Sequence, residues 1–406
     1  MKTLRKPYYG WWIVGELAIA QTITWGIVYY AFSVFIAPME AELGWSRTVI
    51  TGAFSLALLV SGLMAVPVGF WLDRHGARFL MTIAVACAAL LVFAWSQVQT
   101  IFLFYAIWIG IGMCMSASLY EPAFAVVAQW FYRRRGLALA IVTFAAGFAS
   151  TIFLPLSNWL LQRSNWREAV MTLAIILAVS VIPLHALILR RHPRDLGLLP
   201  DGDNDSIGDE KAKRSADVAL GDAVRQVSFW WFTASFSFAT LASIAIRVHM
   251  IPLLLDRGFD ETFAASVTGI IGAMQVLGRV LYAPTESKLP KRYMIAGIFA
   301  LQTSALLILI FVQSILGVWV FVVLLGAANG AMTLARPALL ADFYGTEFYG
   351  RISSVMWVFI VLAVTLAPVG AGWMYTLQGN YDTVLWILVS LSIFATIAIN
   401  FVRKEE

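Results

Sequence analysis

Charged side chains are scarce in this 406-residue chain, at 13% of positions. A soluble chain of this length would carry about twice that share and divide into globular domains. Only two cysteines occur, Cys87 and Cys114, each inside an apolar stretch, which excludes a disulfide scaffold; both are expected to pack inside. There are four histidines, none at metal-ligand spacing, and no glycine-rich phosphate loop followed by lysine. Neither a metal nor a cofactor is therefore expected, and an ATP-driven pump or a membrane enzyme lacks its chemistry on this chain. No small-residue cleavage site punctuates the first apolar block, about 11–38, so that block is expected to be retained as a membrane span.

What the chain has is apolar residues, 61% of the total, with a mean hydropathy of +0.81. They come in blocks of about 20 or more, each long enough to cross a hydrocarbon core of about 30 Å as a helix. Twelve spans are expected, at roughly 11–38, 48–72, 78–97, 99–128, 136–161 and 167–190, then 229–255, 262–285, 292–313, 316–341, 351–377 and 383–402. The pattern predicts an all-α membrane protein in three parts. Residues 1–190 form an N-terminal six-helix bundle, 191–228 a polar, solvated cytoplasmic linker with room for a short amphipathic helix, and 229–406 a C-terminal six-helix bundle.

The net charge of +5 could point to nucleic acid, but its distribution points to a lipid bilayer. With the N-terminus inside, 21 of the 28 lysines and arginines fall in cytoplasmic segments. Only Arg47, Arg163, Arg167 and Arg257 lie in outer loops, and Arg247, Arg279 and Arg336 fall within spans. That bias places both termini in the cytoplasm and needs no nucleic-acid partner.

The two halves read as a repeat. GWWIV at 10–14 answers FWWFT at 229–233, SLYEPA at 118–123 answers TLARPA at 333–338, and RRGLA at 134–138 answers YGRIS at 349–353. In the second pair, Glu121 precedes Pro122 and Arg336 precedes Pro337. Each proline disfavours helical backbone at the residue before it and frees a carbonyl one turn back, so a bend is expected at each charge. Residues so related can approach across a cavity, and the opposite charges are expected to pair when its cytoplasmic side closes. Pairing of each charge within its own half is the alternative.

GFWLDRHGAR at 69–78 joins spans two and three, with Gly76 for a tight turn and Asp73 among basic residues at the helix ends. The spacing resembles the loop signature of the major facilitator superfamily, and Asp73 is assigned to that loop in a gating or packing role. WFYRRRGLA at 130–138 is a basic, aromatic interfacial anchor that leads into a small-residue face. Its order is similar to the span-five signature of the monocarboxylate transporters, and YGWW at 9–12 is similar to their span-one motif without its acidic residue. The resemblance identifies a bacterial-type member of that family or of the related oxalate/formate exchangers. It implies two pseudo-symmetric six-helix bundles with a binding site between them, set in a bacterial cytoplasmic (inner) membrane.

Charges within spans are costly in lipid and point to function. Arg279, in VLGRVLY, has Gln275 one turn earlier on the same face, and its planar fork suits a carboxylate. The family keeps a substrate-binding arginine in this span; the alternative is an arginine that pairs with another helix or snorkels to the interface. The acidic neighbour that some members carry in this span, and a lysine in span one, are missing here. His249, in RVHMIP, is a substrate or proton site or an interfacial hydrogen-bonder, and Tyr120 is a hydroxyl donor or a packing residue. Glu16 is expected to be structural, and Arg247 to snorkel outward. Glu121 and His249 are the candidates for proton coupling.

Together these residues predict secondary active transport of a small organic anion, with a monocarboxylate such as lactate or pyruvate first, by alternating access with proton symport. Anion exchange of oxalate, formate or another dicarboxylate, with Arg336 as second cation, is the alternative within transport. A membrane sensor on the same fold is the alternative outside it.

Overall fold

The computed structural model describes residues 8–202, 218–285 and 291–403. The central acidic and basic run of the expected linker, 203–217, and the 286–290 part of the APTESKLPKR loop lie outside the described residues.

All regular structure among the described residues is helical. Eleven segments are long and apolar enough to cross a membrane. The expected eighth span is also a helix, Glu261–Thr285, apolar over its described side chains Ser266–Tyr282. The chain is thus a multi-pass membrane protein.

By packing, the chain divides into two compact units, Met1–Asp217 with Gly345–Val355, and Val218–Tyr344 with Met356–Glu406. The turn before the eleventh span and that span's first residues thus pack with the first unit.

In the first unit, helix starts are set by side-chain oxygens that accept free amides. Ser46 accepts from Val49, Thr100 from Leu103 and Asn165 from Glu168. Gly44, at φ 69°, ends the first span where a left-handed residue must follow. That span covers Tyr9–Leu43 and is interrupted by a π-helical turn, Gly26–Tyr30. The core holds fully buried tryptophans: Trp108 meets Phe32 edge-on at 4.6 Å and Trp95 at 5.1 Å.

Two expectations about the membrane segments are corrected. Cys87 is exposed while Cys114 is buried, because the helix Ala77–Ser96 turns one flank away from the unit's core. The two prolines also act differently. Span four breaks at Leu119, whose backbone is extended, and a new helix starts at Tyr120. Pro122 therefore sits in a first helical turn, where a missing N–H leaves no hydrogen bond unmade. Pro337 instead lies inside an unbroken helix, Ile315–Tyr344.

The start of the linker is not solvated as expected. Arg191 donates to the Arg74 carbonyl at 2.8 Å, Pro193 is buried, and Asp201 is 7% exposed. The Asp201 carboxylate accepts from the backbone amides of Tyr132, Arg133 and Arg134 at 2.9, 2.7 and 3.2 Å. Those amides belong to the non-helical turn after span four, where no intrahelical acceptor exists. The expected amphipathic helix is, among the described residues, a single turn, Leu220–Ala223.

Candidate functional site

Within the second unit, the helix carrying Arg279 is drawn tightly against Ile315–Tyr344. A Cβ on Gly278 would overlap the Ala327 carbonyl oxygen, and one on Gly330 would overlap the Gln275 carbonyl oxygen. Only glycine permits backbones this close, and small residues are how helices pack where lipid supplies no hydrophobic drive. The result holds the Arg279 side chain 7% exposed, with Gln275 half-buried four residues earlier. On the partner helix, Arg336 is also 7% exposed and lies over the Trp357 ring at 4.9 Å. Two buried guanidiniums thus belong to one unit. A buried cation is costly unless anions or polar atoms meet it.

His249 stands at the end of the seventh span, on the helix Val227–Asp256. Its Nε2 is 3.0 Å from the Pro368 carbonyl and its Nδ1 is 2.9 Å from the Tyr381 hydroxyl. Arg247 does not swing wholly outward, since its Nε donates back to the Ser243 carbonyl at 3.3 Å.

In the first unit, Tyr120 packs its ring on Trp25 at 4.9 Å and on Phe124 at 5.1 Å. Trp25 immediately precedes the π turn, and its Nε1 is buried with no hydrogen-bond partner among the described residues. Such turns widen a helix locally and often mark functional sites. Reading the sequence alone did not single out Trp25; an aromatic cluster, WGIVYY at 25–30, was the available signal.

The break at Leu119 is completed from span one. Ser118 is the last residue of the helix before the break, so its carbonyl has no intrahelical donor, and the buried Gln21 amide supplies one at 2.7 Å, with Leu119 at 3.4 Å. Two residues past the break, the Glu121 carboxylate accepts from the Ser353 hydroxyl at 2.7 Å. A small cavity beside them is lined by Gly69, Ser116, Glu121, Ser353 and Ser354. Asp73 accepts from the backbone amides of Gly350 and Arg351 at 2.8 and 3.0 Å, with the Arg351 guanidinium at 3.5 Å. A carboxylate at the first amides of a helix is favoured by its free N–H groups and dipole.

Glu16 pairs with His185, a residue that sequence reasoning missed, at 2.5 Å within the first unit. Among the described residues, no group of three or more His, Cys, Asp and Glu side chains could hold a metal ion.

These geometries can now be set beside known proteins. Among curated relatives, an uncharacterized MFS-type transporter of Bacillus subtilis (strain 168), YcxA, is 22% identical over 396 residues, covering 93% of this chain and 91% of the relative. Monocarboxylate transporter 13 of Bos taurus is 24% identical over 382 residues, with 92% and 84% covered. Monocarboxylate transporter 12 of Mus musculus is 21% identical over 423 residues, with 97% and 85% covered. Among solved structures, the proton:xylose symporter XylE superimposes with a TM-score of 0.77 at 14% identity, over 98% of this chain and 96% of the other. FucP in the outward conformation gives 0.71 at 14% identity, over 97% and 99%. At those identities the structures speak for the fold. The family model described as Major Facilitator Superfamily matches residues 17–285 and 248–406, and the chain belongs to that superfamily.

Proposed function

We propose that this secondary-active, alternating-access carrier moves a small organic monocarboxylate, with lactate or pyruvate as the first candidates, by proton symport. The observation that carries the reading is Arg279, a guanidinium 7% exposed on a glycine-pinned helix with Gln275 one turn away. A planar fork held in low dielectric binds a carboxylate bidentately. In the first unit, the Trp25 N–H and the Tyr120 hydroxyl are donors suited to the same class of ligand. The monocarboxylate transporters among the relatives support the class at low identity.

Glu121, Arg336 and Asp73 are assigned to gating or proton coupling. The excess of basic residues in the loops of one side supports both termini being cytoplasmic, and the bacterial-type motifs support a bacterial inner membrane. Exchange of oxalate, formate or another dicarboxylate is the second reading, and one observation favours it: Arg336 is a second buried cation.

The test is uptake of labelled mono- and dicarboxylates into proteoliposomes, with and without an imposed pH gradient. Accumulation of a monocarboxylate driven by the gradient is the expected result. Uptake that ignores the gradient and requires an anion inside would establish exchange instead.

A further inference from the structure

Both ring nitrogens of His249 are engaged from other helices or their caps, and these partners fix its chemistry. A backbone carbonyl can only accept, so Nε2 carries a hydrogen toward Pro368. In the neutral ring Nδ1 must then accept, and the Tyr381 hydroxyl donates to it. Tyr381 stacks on Tyr375, with ring centroids 4.5 Å apart at 29°. Near Tyr375 stands Asp256, an exposed carboxylate at the end of the helix that carries His249. Burial, then the nearby Asp256 carboxylate and Tyr375, push the Tyr381 hydroxyl above the usual tyrosine range, which keeps it a donor.

We propose that His249, Tyr381, Tyr375 and Asp256 form the proton-loading site of the carrier. A proton from water adds to Nδ1, the Tyr381 hydroxyl turns so that its oxygen accepts from the new N–H, and no other bond changes. The imidazolium gains a positive charge, and Asp256, the exposed carboxylate beside Tyr375 and Tyr381, offsets it through them. The hydrogen bonds join the helix Val227–Asp256 to the helix Tyr349–Gln378 and to Tyr381, which caps the last span. Protonation therefore acts where three spans meet.

Other ionisable groups on the elements around His249 are engaged elsewhere. Arg257 donates to the Leu309 carbonyl at 2.6 Å, and Asp382 interacts with Arg257. Asp260 caps Phe263 at 2.9 Å, Arg247 turns to Ser243, and Asp342 meets Lys291 at 2.6 Å. Arg279 and Arg336 belong to the substrate region already described, and the Glu261 side chain lies outside the described residues.

This inference rests on the symport reading, and the experiment separates the two. In proteoliposomes of the full chain, labelled lactate and pyruvate are followed under a pH gradient and in counterflow without one. Asp256→Asn and Tyr381→Phe are expected to lower gradient-driven accumulation by about tenfold, the factor given by one pKa unit of lost imidazolium stabilisation. Counterflow should stay within about twofold, which also shows that the variants fold. Variants that accumulate as the wild type does would overturn the proton site alone. A wild type that shows no gradient-driven accumulation would overturn symport, and nitrogen-15 histidine spectra then decide the site. The signal lost in His249→Gln should show the Nε2–H tautomer at alkaline pH and a doubly protonated ring on acidification. The Nδ1–H tautomer, or a ring that stays neutral, would overturn it.

Discussion

Glu16 Oε1 and His185 Nδ1 lie 2.5 Å apart, and neither side chain reaches the surface of its unit. The two residues are 169 positions apart and join the first span to the sixth. Their outer atoms, Glu16 Oε2 and His185 Nε2, have no partner among the described residues, so each side chain depends on the other. Removing one partner strands a buried polar or charged group, which costs about 3–5 kcal/mol, whereas replacing both by apolar groups is often neutral or stabilising. Glu16→Leu or His185→Leu should each lower the unfolding midpoint of the detergent-purified protein, and the double replacement should recover most of the loss. Additive losses in the double variant would show that the pair is not a unit.

The spans, their count and the helical fold are legible in the sequence because lipid forces long apolar blocks and lets each be read locally. LYEPA also announces an interruption, since a proline beside a charge does not continue a membrane helix quietly. Its form is not legible. The break falls at Leu119 and not at Glu121, because Gln21, from a different span, is placed to satisfy the freed carbonyl. Pro337 has the same local sequence signal but lies in a continuous helix. Likewise His185 reads as a lone polar residue in an apolar block, and only folding supplies Glu16. Asp201 sits in a segment whose composition says solvent, yet three amides of a distant turn require its carboxylate.

The Asp201 contact predicts an order among substitutions. Its backbone is left-handed, at φ 60°, which asparagine tolerates far better than alanine. Asparagine also keeps one side-chain oxygen for the amides of Tyr132 to Arg134. Asp201→Ala loses all three bonds and leaves three part-buried backbone donors to water, a net loss of about 0.5–1.5 kcal/mol each. Trypsin should therefore cut near Arg194 fastest in Asp201→Ala, at an intermediate rate in Asp201→Asn, and slowest in the wild type. Equal rates would show that the segment is held by other contacts.

Gln21 offers a test of the break in span four. Gln21→Leu keeps the volume and apolar fit but removes the donor to Ser118. A buried carbonyl without a donor costs about 1–3 kcal/mol, so the unfolding midpoint should fall although hydrophobicity rises. Gln21→Glu, whose protonated form can still donate, should be milder at acidic than at neutral pH. A Gln21→Leu protein as stable as the wild type would mean that water serves the Ser118 carbonyl adequately.

Gly330 tests the close approach that shapes the arginine's setting. Alanine there would drive a methyl group into the Gln275 carbonyl oxygen, backbone against backbone, with no flexible side chain to yield. Overpacking of this kind costs about 1–3 kcal/mol and moves helices apart. Gly330→Ala should weaken substrate affinity more than it slows transport at saturating substrate, because it displaces Gln275 and Arg279 together. Gly297→Ala is the control, since a Cβ there meets nothing within 4 Å. Equal kinetics in the two variants would show that the glycine contact does not position Gln275 and Arg279.

Arg279 carries the substrate assignment and gives the sharpest comparison. Arg279→Ala should abolish uptake of labelled monocarboxylates while the protein still inserts and purifies as a single species, since the loss falls on ligand contacts. Arg279→Lys separates charge from shape. Lysine retains the positive charge but offers a point donor in place of a planar fork, and it loses its charge more readily when buried. If the arginine binds the carboxylate with two parallel hydrogen bonds, lysine should recover only a small part of the uptake, with the Michaelis constant raised by about tenfold or more, as loss of about 1.4 kcal/mol or more of binding requires. If it serves only to balance charge inside the second unit, lysine should restore nearly normal transport and Arg279→Ala should instead unfold at a lower temperature. The two readings thus differ in which measurement moves, uptake or stability, and a normal rate of uptake by Arg279→Ala would reject the carboxylate anchor outright.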